Sequence, residues 1–168
     1  PELYSCHRVE IAKLEGFVVA FPNGTAANES KRGRFLGNPQ SWNCGAGESV
    51  VGAGSASARG VDDVGFILAL VDEIAAQTVI DPGRIFLAGH SNGAAMAYRI
   101  ASERPERVAA VGVMGMPRYV QQEELASTFA SPVSLIAVYG DQDPFAPLNG
   151  GLAGTRRRKV ATRPVLGS

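Results

Sequence analysis

One succession of segments restricts this chain more than any other. An apolar run, Arg84-Ile85-Phe86-Leu87-Ala88, meets a glycine-flanked turn, Gly89-His90-Ser91-Asn92-Gly93, and then a small-residue stretch over 93–103. The first reads as a buried strand and the last as a helix that packs closely on a sheet through Gly93, Ala94, Ala95, Ala97 and Ala101. Further short apolar runs at Val108–Val113 and Val133–Tyr139 recur between helix-like segments. Strands that alternate with helices predict an α/β fold, a mostly parallel sheet with helices on both faces.

The rest of the chain fits that frame. Residues 3–14 read as a helix ending at Gly16. Phe17-Val18-Val19-Ala20-Phe21 reads as a buried strand stopped by Pro22-Asn23-Gly24. Residues 23–59 are rich in Gly, Ser, Ala and Asn without a period, and a loop of that length is functional or mobile. Val64, Ile67, Leu68, Val71, Ile74 and Ala75 form one helical stripe. Asp62 and Asp63 precede it in the first turn, where the helix dipole favours anions. After Gly151 the pattern is lost and Arg156-Arg157-Arg158-Lys159 forms a basic cluster. The expected organisation is one domain over 1–151 and a poorly ordered basic tail over 152–168.

Composition narrows the function classes. Of 168 residues 45% are apolar and 19% charged, which suits a folded globular chain. Sixteen basic residues balance sixteen acidic ones, so no overall field favours nucleic acid or an anionic membrane. Cys6 and Cys44 are the only cysteines, and their pairing is open. Two histidines and two cysteines at scattered spacings make no zinc motif.

The turn carries the chemistry. The bare pattern Gly-x-Ser-x-Gly arises by chance about 0.2 times in a chain with this much Gly and Ser, so its weight lies in the strand before it and the helix after it. Glycines at 89 and 93 let the chain pass the corner without a Cβ clash. Ser91 is then held above the sheet edge as a candidate nucleophile, and the Asn92 N–H at the helix start is a candidate oxyanion donor. A carboxylate just beyond the last apolar run would share that edge. Within Tyr139-Gly140-Asp141-Gln142-Asp143-Pro144, Asp143 is preferred to Asp141 as the acid that orients a histidine. Neither histidine, His7 nor His90, follows Ser91 in the chain. His90 adjoins the serine on a sharp turn and points elsewhere. Trp42, the only tryptophan, either anchors the long loop or offers a flat face to substrate. Trp42 and His90 are the candidate substrate contacts.

Taken in order, five segments resemble the secreted polyhydroxybutyrate depolymerase and feruloyl/acetylxylan esterase group of α/β-hydrolases, including the small LpqC-like esterases. They are Glu15–Gly24, Ser41-Trp42-Asn43, Val61–Phe66, Gly89–Tyr98 and Gly140–Asp143 with its continuation to Gly151. The resemblance implies a serine carboxylester hydrolase of extracellular location acting on a polyester or a cell-wall polysaccharide ester. It implies no cofactor, no metal, no nucleic-acid partner and no membrane. It also implies an apolar strand ending in His-Gly before residue 1 and a catalytic histidine beyond residue 168, so that the hydrolase core is incomplete at both ends. The alternative is a non-catalytic polysaccharide-binding or pseudoenzyme domain.

Overall fold

The computed structural model describes residues 2–45, 54–116, 131–143, 149–155 and 158–164, with side chains described for 9–45, 54–116 and 131–143. Helix α1 (Glu2–Glu15) ends as its sequence dictates. Gly16 adopts φ +70°, and the Phe17 N–H returns to the Ala12 carbonyl at 3.0 Å, the six-to-one closure that glycine permits after a helix. Helix α2 (Asp63–Gln77) begins with Asp62 as its cap, accepting from the Gly65 N–H at 2.9 Å. Helix α3 (Asn92–Glu103) ends just before Pro105.

Two residues each of β1 (Thr25–Ala26) and β2 (Gln40–Ser41) pair antiparallel inside the long loop. That loop is not loose coil. Asn38, 6% exposed, accepts from the Asn28 N–H at 2.7 Å and donates to the Asn28 carbonyl at 2.9 Å, which closes the excursion between β1 and β2.

The main sheet is parallel, in the order β3 (Phe86–His90), β4 (Ala110–Met114), β5 (Ser134–Val138). Its register aligns His90, Met114 and Val138, so all three strands end at one level. The α/β class and the parallel sheet are as expected from sequence. Helix cover is one-sided among the described residues. Val64 and Ile67 of α2, Met96 and Ile100 of α3, and Val111 and Val113 of β4 form the buried core. On the opposite face Phe86 (62%), Met114 (49%) and Ile136 (72%) stay exposed.

Phe17–Phe21 joins no ladder, against the strand expected there. A strand needs a backbone neighbour at about 4.8 Å. Here an apolar groove of about 320 Å³ separates Val19–Pro22 from Phe86–Ala88, floored by Met96 and Ala97. The tail also departs from expectation. β6 (Asn149–Thr155) and β7 (Arg158–Pro164) form an antiparallel hairpin with Thr155 opposite Arg158. Backbone complementarity suffices for such a ladder, so a segment without hydrophobic period can enter it. Arg156 and Arg157 lie outside the described residues. Among the described residues no helix is long and apolar enough to cross a membrane.

Candidate active site

The corner between β3 and α3 is as tight as its sequence suggests, but its two glycines are not equivalent. A Cβ on Gly89 would lie 2.2 Å from the Gly93 carbonyl carbon and oxygen and 2.5 Å from the Ala94 nitrogen. A Cβ on Gly93 would meet nothing within 4 Å. Only the glycine before the serine is required by close approach; the expectation of two such glycines is corrected. The reason is that the helix start folds back over residue 89, while residue 93 faces outward from the turn.

Ser91 takes φ 53° and ψ −122°, the one positive-φ non-glycine conformation among the described residues. Its N–H donates to the Met114 carbonyl at 2.9 Å, which fastens the corner to β4. Its carbonyl accepts from the Ala94 and Ala95 N–H groups at 2.9 and 3.1 Å, while its hydroxyl does not cap the helix. The Asn92 and Gly93 N–H groups occupy the first two helical positions, which have no intrahelical acceptor.

Asp143 lies five residues beyond the end of β5, at the same sheet edge as Ser91. Its N–H turns back to the Gly140 carbonyl at 3.3 Å. Pro144, expected to hold it, lies outside the described residues. Tyr139 braces the base of this loop. Its hydroxyl donates to the Met116 carbonyl at 2.9 Å, so at 3.0 Å the Tyr98 hydroxyl of α3 must donate to it. Burial first, and the Tyr98 contact second, push the Tyr139 phenol above its ordinary pKa. The pair links the Asp143 loop to α3, the helix that follows Ser91.

His90 is exposed and sits beside Gly115, where a Cβ would lie 3.1 Å from its Nε2. The side chain of His7 lies outside the described residues, as does that of Cys6. Cys44 is fully buried and accepts from Asn92 Nδ2 at 3.3 Å.

Trp42 anchors its loop. Its ring stacks on Phe66 with centroids 6.3 Å apart and planes 23° from parallel. Its N–H donates to Asn92 Oδ1 at 2.6 Å, and its carbonyl accepts from Asn92 Nδ2 at 3.2 Å. The next residue is held as firmly. The Asn43 N–H donates to Asp63 Oδ2 at 2.5 Å, its Nδ2 donates to the Val61 carbonyl at 2.7 Å, and its carbonyl accepts from Arg99 at 2.6 Å. Sequence reasoning missed the roles of the Asn92 side chain, Asp63 and Arg99. Asp63 reads as a dipole-favoured acid of the first helical turn, yet it is also 2% exposed and holds the Asn43 N–H. The recurring signal was Ser41-Trp42-Asn43 itself, a polar loop around a large aromatic residue that needs partners for its peptide groups.

Desolvation raises the Asp63 pKa above its ordinary 3.8, opposed by the Asn43 N–H and the Arg99 charge. The folded protein therefore holds this proton more tightly than the unfolded chain. The group's contribution to stability is fully present below 3.8 and is lost as pH rises through the raised folded value. Asp63→Asn keeps an acceptor for Asn43 and cannot ionise. Urea midpoints measured across this acid range should lose the Asp63 component of their pH slope in the variant. An identical slope in both proteins would contradict the assignment.

The family model described as "Esterase PHB depolymerase" matches residues 8–146. A protein of Nocardia uniformis subsp. tsuyamanensis, named "Putative esterase NocK", is 34% identical over 88 residues, which is 52% of this chain and 25% of that protein. The chain thus spans only part of the length of this curated relative. The region matched by the family model contains the β3–α3 corner, the Trp42 loop and the turn bearing Asp143. The chain belongs to the Esterase PHB depolymerase family.

Proposed function

We propose that this chain carries the nucleophile and acid of a serine carboxylester hydrolase. The observation that carries the reading is the strained Ser91 backbone at the β3–α3 corner, a conformation that a mere connecting turn has no need to store. The family match supports an ester as substrate. Ser91 Oγ attacks the ester carbonyl while a histidine takes its proton. The Asn92 N–H stabilises the oxyanion, and Asp143 orients that histidine and balances its charge. The alkoxide leaves with the proton, and water then releases the acyl group from Ser91. The substrate class is a polyester or a cell-wall polysaccharide ester in an extracellular setting, with Trp42 and His90 flanking the bound ester.

The test is covalent labelling by an alkyl fluorophosphonate, read by intact mass and peptide mapping. The expected adduct lies on the Ser91 peptide, forms only slowly because no histidine of this chain follows the serine, and is lost in Ser91→Ala. An adduct that survives that substitution, or maps elsewhere, overturns the reading.

A further inference from the structure

We propose that Asn92 is a positioning residue whose carboxamide latches the Trp42 loop to the first turn of α3, making the indole a fixed wall beside Ser91. The part concerning Ser91 rests on the proposed function; the latch itself does not. One side chain meets both main-chain polar groups of Trp42, at 2.6 Å through Oδ1 and at 3.2 Å through Nδ2, across fifty positions of sequence. The two contacts differ in what else could replace them. The Trp42 carbonyl also accepts from the Cys44 N–H at 3.0 Å, whereas the Trp42 N–H donates to Oδ1 of Asn92. Loss of Oδ1 therefore releases a part-buried donor.

The latch sits where it can matter. Asn92 directly follows Ser91, and its own N–H is one of the two without a helical acceptor. A side chain tied to the loop restrains the peptide to which it is attached. Trp42 lines the apolar groove together with Gly93, Met96 and Ala97, on the helix whose first turn holds the serine's neighbour. With Asn43 already held by Asp63 and Arg99, and the indole stacked on Phe66, Asn92 fixes the end of the loop nearest the nucleophile.

Trp42 is the only tryptophan, so its fluorescence reports this loop alone. The experiment uses the full 168-residue chain with Asn92→Ala, Asn92→Asp and, as a stability control, Val108→Ala in the core away from the corner. Acrylamide quenching is measured well below the melting temperature, beside the rate of fluorophosphonate labelling of Ser91. Asn92→Ala should raise the quenching constant roughly twofold as the loop opens, and slow labelling about tenfold as the corner loses its restraint. Asn92→Asp retains the acceptor for the Trp42 N–H and should fall between native and alanine in both. Val108→Ala should lower the melting temperature and move neither. Native-like quenching in Asn92→Ala overturns the latch. Changed quenching with an unaltered labelling rate overturns the positioning role. Labelling of the native chain that survives Ser91→Ala overturns the serine reading instead, and quenching then decides the latch by itself.

Discussion

Gly89→Ala should remove a large share of the protein's stability, while Gly93→Ala should leave it at least as stable as before. The new methyl at 89 would sit 2.2 Å from two backbone atoms of Gly93 and 2.5 Å from the Ala94 nitrogen. Those atoms form the first turn of α3 and cannot swing aside as a flexible side chain would. Relief requires the helix start to move off β3, which also pulls on the bond from the Ser91 N–H to Met114. A loss of about 3 kcal/mol or more is expected, against a total of roughly 5–15 kcal/mol for a domain. At 93 the methyl enters open space within a helical turn, where alanine is preferred to glycine by about 0.5–1 kcal/mol. Urea unfolding followed by far-ultraviolet circular dichroism separates the two. Equal losses would mean that the corner is not closed as described.

Ser91→Gly and Ser91→Ala should both abolish phosphonylation, yet they should differ in stability. A side chain at φ 53°, ψ −122° lies outside the usual left-handed well and costs about 1–3 kcal/mol. Alanine keeps that penalty because it keeps Cβ. Glycine removes most of it. The glycine variant should therefore melt above the alanine variant by about 2–4 °C for each kcal/mol of strain released, for a chain of this size. Differential scanning calorimetry of the pair checks this. Matching melting temperatures would show that the serine backbone is relaxed, and would remove the main physical support for its role as nucleophile.

Much of the scaffold could be read from residue order. The runs ending at His90, Met114 and Val138 are strands because β-branched and other apolar side chains crowd into short segments bounded by Gly, Pro and Asp. The helices announced themselves through apolar spacing, the acidic pair Asp62-Asp63 at the start of α2 and the glycine after α1. The Asp143 turn could be assigned to the Ser91 edge because parallel strands all end on one side. These features depend on local conformational preference and on periodicity, both of which are written in neighbouring residues.

Other features could not be found that way. Nothing near Phe17–Phe21 shows whether a backbone partner lies beside it, and an apolar groove does instead. Asp63 and the Asn92 carboxamide look like ordinary polar groups at helix starts. Their partners, Asn43 and Trp42, stand 20 and 50 positions away. The unequal glycines of the serine corner also look alike on paper. By itself the sequence determined the three parallel strands and the helices that flank the serine corner, and that those strands end on one rim of the sheet, since these follow from short-range sterics and hydrophobic periodicity. Only the tertiary structure decided which polar groups meet, which glycine admits no methyl and which sheet face is covered, because those depend on distances between atoms that the chain brings together from far apart.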